Sequence, residues 1–300
     1  MRIINKSNNI FILIIKSVLI SIGGVVFPVL YLFLPSLFIV ESLGSGMPMI
    51  IGLFGLCCGI LALVVGPMVG ALIFGIFGPM ILIFHYMISK KQAVNTTIVV
   101  CAGVFFASLL IGLYSAGITP GVLQKPDLIN TFIDTQMDIL KAGGFKIDRA
   151  SLIVLYKRML QIMPAALIIV SLFISYVTYV LTGRALLKRG NYILQPSSFI
   201  FFRIPGGLGQ AALLSGVLIF ALDSAEILNL GIVMDNLYLV FSALFFFVGL
   251  AVSLFYIGRF IKNPILGTLM IFLLFVIPGL GNILVLIGIL DSLFNFRRLP

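Results

Sequence analysis

The stretch DLINTFIDTQMDILKAGGFKIDRASLIVLYKRMLQIMPAALIIVSLFISYVTYVLTGRALLKRG, residues 127–190, begins as a polar helix hairpin and ends as a membrane helix. Asp127 to Lys141 has helical periodicity. Leu128, Ile129, Phe132, Ile133, Met137, Ile139 and Leu140 fall near one face, and Asp127, Asn130, Asp134, Asp138 and Lys141 fall on the other. Pro126 suits a first helical position, and Gly143–Gly144 supply the left-handed conformation that ends a helix. Asp148 is placed to cap a second helix, which meets no glycine until Gly183 and closes on Arg184, Lys188 and Arg189. From Arg149 to Thr182 this helix measures roughly 50 Å, against a hydrocarbon core of ~30 Å. It must therefore stand out of the bilayer and carry the amphipathic arm with it.

The rest of the chain is almost pure membrane. Apolar residues make up 61% and charged residues 9% of the 300, and the mean hydropathy is +1.27, which excludes a soluble globular domain. The net charge of +10 comes from short basic clusters between apolar runs, the pattern of the positive-inside rule rather than of a nucleic-acid surface. Cys57, Cys58 and Cys101 all lie within apolar spans and offer neither a disulfide framework nor metal-ligand spacing. With no tryptophan, the interfacial belt falls to Tyr86, Tyr114, Tyr192, Tyr238 and Tyr256 near span ends.

Taken in order, Arg2 and Lys6 precede an apolar run from Ile10 to Val40, too long for a signal peptide and interrupted by Pro28 and Pro35. It reads as two helices, near 10–27 and 29–41. Spans follow at Ile50–Val65, Met68–Ile88 and Thr96–Ala116, then the arm and the long helix. Further spans read at Phe199–Leu222, opened by Arg203, Pro205, Gly206 and Gly207, and at Tyr238–Ile257. The last apolar run, Pro264 to Leu290, is broken by Pro278–Gly279. Splitting both proline-interrupted runs places Lys90/Lys91, Arg184/Lys188/Arg189, Arg259/Lys262 and Arg297/Arg298 on the cytoplasmic side with the N-terminus. The acidic loop Asp223–Glu226–Asp235 and the arm are left outside. The expected fold is all-α: one integral membrane domain, a transmembrane bundle of eight to ten segments. Glycine-rich helices occupy 1–117, the extracytoplasmic amphipathic arm 118–151 and C-terminal helices 152–300.

Glycine is dense between Ile50 and Gly78. Gly55 and Gly59, Gly66 and Gly70, and Ala71 and Gly75 are each four apart, so helices carry small faces that serve either tight packing within the chain or docking of a partner subunit. Gly66–Pro67 and Gly78–Pro79 interrupt the ladder, and irregular backbone at membrane depth survives only when buried in protein or lining a cavity. Gly66, Pro67, Gly70, Gly78, Pro79 and the lone histidine, His85, are thus the candidate ligand-binding set. Lys16, inside the first run, reads as a side chain that snorkels to the surface. No acid lies in mid-span as a coupling carboxylate would, and no metalloprotease or phosphate-loop spacing is present. Gly206–Gly207–Leu208–Gly209 lacks the lysine and strand of a phosphate loop. No catalytic residue, metal site or cofactor is expected.

At the C-terminus, Gly288, Asp291, Phe294 and Arg297 are spaced by three, toward one side of a short helix. Pairing of Asp291 with Arg297 or Arg298 as an interfacial anchor is the plainer reading of this motif.

The paired short helices of the first run, the polar arm before a long helix, and MPAALIIVSLFISYVTYVLTGRALLKRG at 163–190 resemble a known family. Arg203–Ile204–Pro205 and the closing GILDSLFNFRR at 288–298 add to the likeness. Together they look like the YybS-like predicted membrane proteins of bacteria, which implies an inner-membrane protein with about eight helices. In style, the N-terminal half is also similar to the substrate-binding subunits of energy-coupling-factor vitamin transporters, which work with separate ATPase subunits. This chain is longer, inserts the arm and lacks their alanine-based coupling motif, although Ser17, Ser21 and Gly24 offer a small face.

Two functions follow as expectations. One is a transporter-like membrane subunit that binds a small, weakly charged molecule among helices 50–116, with the arm as its rim. The other is a membrane scaffold or regulatory subunit that binds membrane or ATPase partners through Phe132, Asp134 and Asp138 of the arm and through the small faces. Beyond these the partner is the lipid bilayer, and nucleic acid is excluded.

Overall fold

The computed structural model describes residues 2–144, 148–204, 214–219, 221–222, 224, 230–261, 263, 265–267, 269–270, 273, 277 and 279–299. Among the described residues all regular structure is helical. The elements are α1 (Arg2–Val26), a 3-10 turn (Pro28–Leu32), α2 (Leu34–Ser45), α3 (Met47–Val64), α4 (Pro67–Ser89) and α5 (Val94–Ser115). They continue with α6 (Pro120–Leu123), α7 (Pro126–Ala142), α8 (Arg149–Lys188), α9 (Gly231–Phe260) and α10 (Leu280–Phe294). Six helical stretches among the described residues are long and apolar enough to cross a membrane: Pro28–Ser45, Met47–Val64, Pro67–Ser89, Val94–Ser115, Arg149–Lys188 and Gly231–Phe260. Ile10–Val26 and Leu280–Phe294 are shorter apolar helices.

Local chemistry explains most of the boundaries. Pro28 cannot donate to the ladder and pushes Phe27 out of the helical region (φ −123°, ψ 86°), so the first apolar run divides there. Gly66, at φ +142°, turns the chain between α3 and α4 in a conformation closed to residues with a side chain, and Pro67 opens α4. Pro79 is different. α4 passes through Gly78–Pro79 without a break, so the interruption expected there does not form. The proline forfeits one ladder bond, and packing of α3 and α5 along α4 holds the helix together.

Two other boundaries depart from expectation, while α8 closes on its basic cluster as the sequence indicates. Gly144 alone takes the left-handed conformation after α7, while Gly143 stays at φ −80°. Gly183 lies inside α8, which runs for 40 residues, about 60 Å, and stops only at Gly190, where the Asn191 amide returns to the Leu186 carbonyl. Phe199–Phe201 is a 3-10 turn followed by non-helical 202–204, so the span expected from Phe199 does not start there. Pro205 to Gly209, Asp223, Glu226, Lys262, Pro264 and Pro278 lie outside the described residues.

The chain forms two compact units, Met1–Arg149 with Val170–Pro196, and Ala150–Ile169 with Ser197–Pro300. In the first, Phe38, Phe54, Phe84 and Phe105 are fully buried among Ile39, Ile50, Met80 and Ile81. Phe38 meets Phe54 edge-on at 4.9 Å between ring centroids. In a lipid setting such a core holds by close packing, because the surroundings are as apolar as the side chains. Arg189 Nη2 donates to Glu41 Oε1 (2.5 Å), and Ser42 Oγ lies 2.8 Å from His85 Nδ1. The C-terminal ends of α2, α4 and α8 therefore share one end of this unit, together with Lys90 and Lys91.

In the second unit α9 and α10 run parallel. Gly249 faces Gly288, and Tyr256, two turns further along α9, donates to the carbonyl of Phe296 just past the end of α10 (3.2 Å). Phe245, Val248 and Val252 of α9, with Ile204, form the core here.

Candidate functional site

The C-terminal motif is the most developed polar structure among the described residues. Gly249 and Gly288 let the backbones of α9 and α10 touch: a Cβ on Gly288 would lie 1.9 Å from the Phe245 carbonyl oxygen. One turn later Asp291 points into the same interface. After Phe294, Asn295 adopts the left-handed conformation (φ 48°) and turns the chain back, which brings Arg297 onto Asp291. Arg297 Nε and Nη2 donate to Asp291 Oδ2 at 3.1 and 2.8 Å. Its backbone N–H donates to Asp291 Oδ1 (3.3 Å), and the guanidinium also donates to the carbonyls of Ile200 through Nη1 (2.7 Å) and Phe202 through Nη2 (2.8 Å). The two side chains are 0% and 1% exposed. The expected pairing with Arg297 forms, but it is buried rather than interfacial. Phe294 does not join it, being exposed and stacked on Phe296. Arg203 adds a bond to the Leu299 carbonyl (2.9 Å). Charges satisfied this fully have little left to offer a ligand, and removing one partner is far costlier than the pair is beneficial.

The candidate ligand-binding residues are spread along α4 rather than gathered. Gly66 and Pro67 form the turn at its start. Gly70 is pressed to α3, where a Cβ would stand 2.4 Å from the Cys58 carbonyl oxygen. Gly78 faces Phe54, Pro79 lies within the helix, and His85 is near the other end, about 28 Å from Gly66 at the helical rise. His85 is half-buried. Ser42 Oγ donates to the Ile39 carbonyl (2.8 Å), which leaves a lone pair for a proton on His85 Nδ1. Gly59 and Gly75 meet nothing within 4 Å, so part of each small face looks away from the chain. The small face of α1 is taken internally: Ser17 bonds Cys57 Sγ (2.9 Å), Ser21 accepts from Tyr31, and the Tyr31 ring fills the space beside Gly24.

Thr178 and Thr182, one turn apart on α8, are fully buried and their hydroxyls have no hydrogen-bond partner among the described residues. Ser175, on the same side, donates to the Ile98 carbonyl (2.8 Å). An unpaired buried hydroxyl costs about 1–3 kcal/mol.

In the arm, Arg149 Nη1 donates to Asp134 and Nη2 to Asn130 Oδ1 (2.9 Å), so Asp134 is engaged within the chain. Ile133 is buried, while Leu128 (40%), Phe132 (37%) and Ile139 (59%) remain exposed, as does Asp138.

Sequence reasoning missed two features. The Glu41–Arg189 pair joins residues 148 apart, and no local pattern announces it. The other is Asn236, whose side chain bonds the backbone of α8 at Gln161 (2.8 Å) and Ala165 (3.0 Å). Pro164 inside an otherwise helical pattern was the available signal. Among the described residues no group of three or more His, Cys, Asp or Glu could hold a metal ion.

No curated protein and no solved structure matches this chain. A family model described as "Predicted membrane protein (DUF2232)" matches residues 10–292, nearly the whole length, and the chain belongs to that family of predicted membrane proteins.

Proposed function

We propose that this chain is a non-catalytic, multi-pass subunit of the bacterial inner membrane that works as a scaffold, binding a partner protein through the arm α7. Both termini would face the cytoplasm, following the basic clusters, and the YybS-like resemblance agrees with that setting. The observation that carries the reading is the posture of the arm. Arg149 ties its polar side, while Leu128 and Ile139 stay exposed beside Asp138. A helix that displays exposed apolar side chains suits a helix-in-groove partner. The outward Gly59 and Gly75 give a membrane partner helix a place for close approach.

A small-molecule-binding role, in the style of the energy-coupling-factor subunits, is the second reading. It rests on the unpaired hydroxyls of Thr178 and Thr182, which a polar ligand would satisfy. An ATPase partner has less behind it, because the small face of α1 is occupied by Tyr31 and Cys57.

A photo-crosslinking residue placed at Phe132 or Ile139 in cells tests the scaffold reading. One discrete protein adduct, lost on Asp138→Lys, supports it. Adducts to lipid alone would make the arm a membrane-surface anchor and sink the proposal.

A further inference from the structure

Pro164 has no N–H, so the Leu160 carbonyl loses its ladder partner and α8 is weakened at that turn. One residue later stand two groups that an unbroken helix would pair with each other, the Gln161 carbonyl and the Ala165 N–H. Both are held by one side chain of α9. The Ala165 N–H donates to Asn236 Oδ1 (3.0 Å), and Asn236 Nδ2 donates to the Gln161 carbonyl (2.8 Å). The second Nδ2 proton goes to the Ile232 carbonyl on Asn236's own helix (2.9 Å). Arg158 and Asp235 flank the contact at 3.9 Å.

We propose that Asn236 is a releasable latch, and that the turn around Pro164 is a two-state hinge in α8. With the latch engaged, the carboxamide completes the α8 ladder and fastens this turn to α9. With it withdrawn, Gln161 and Ala165 close on each other and α8 separates from the start of α9. The Gln161 carbonyl and the Ala165 N–H are satisfied in both states, so release orphans neither of them, and a small bias selects between the states. Asn236 is itself half-buried, so its amide can exchange the helix for water. An asparagine that served packing alone would have no such alternative.

The test uses the full chain in lipid nanodiscs, with spin labels on Leu155→Cys in α8 and Tyr238→Cys in α9, both exposed positions. Wild type should show a short and a long component in the distance distribution. Asn236→Ala should lose the short component. Pro164→Ala, which restores a donor to the ladder and lets the helix close without the latch, should lose it as well, and this variant stands if Asn236→Ala fails to fold. A single component in wild type, or a short component retained in either variant, would overturn the latch.

Discussion

Gly249 and Gly288 are in backbone contact: a Cβ on the first would stand 1.8 Å from the Leu284 carbonyl oxygen, and a Cβ on the second 2.9 Å from the Gly249 amide nitrogen. No rotamer relieves a clash with main chain, so Gly249→Ala or Gly288→Ala must force α9 and α10 apart. Each should destabilise the protein by about 3 kcal/mol, read from unfolding in mixed detergent micelles. Gly75→Ala is the control. Its Cβ meets nothing, and removing a mid-helix glycine there should be neutral or stabilise by up to ~1 kcal/mol.

The Asp291–Arg297 pair should show the asymmetry of buried charges. Asp291→Asn leaves the guanidinium buried without its counter-charge and should cost about 3–5 kcal/mol. Asp291→Leu combined with Arg297→Met should cost less than Asp291→Asn alone, because no charge is then stranded. Equal losses for the single and double variants, in the same unfolding assay, would mean that packing rather than charge fixes the tail.

Arg149 should behave in the opposite way. Its side chain and that of Asp134 are 46% and 61% exposed, so the ion pair contributes no more than ~1 kcal/mol. Arg149→Ala should leave the melting temperature nearly unchanged. Limited proteolysis should nevertheless cut residues 126–148 faster, since the tether that orients α7 is gone.

The pairing of Glu41 with Arg189 makes a prediction about sidedness within the first unit. Cysteines substituted at Lys91 and Arg189 should label from one face of the membrane only, and those at Thr119 and Lys141 from the opposite face only. The native cysteines are buried and should stay silent. Labelling of Lys91→Cys and Arg189→Cys from opposite faces would contradict the fold of the first unit.

Much of this architecture is legible in local chemistry. Pro28 divides the first run because the residue before a proline leaves the helical region, and Pro126 opens α7 because its missing N–H is harmless there. Pro79 misleads because it is a breaker by propensity, yet the neighbouring helices α3 and α5 hold the backbone helical through it. The spacing of Asp291 and Arg297 marks a pair but not its burial. Burial depends on the Gly249–Gly288 crossing and on the carbonyls of Ile200 and Phe202, nearly a hundred residues away in sequence. The candidate set on α4 was chosen for broken backbone at membrane depth. Only Gly66–Pro67 breaks the helix, at a turn, and His85 lies toward the far end.

Native mass spectrometry of the protein extracted gently from its own membrane tests the central claim most directly. The scaffold account predicts a protein partner at fixed stoichiometry, lost on Ile139→Asp while the protein stays folded. A retained small molecule with no protein partner, released on Thr178→Val with Thr182→Val, would contradict it and move the function to the interior of the first unit.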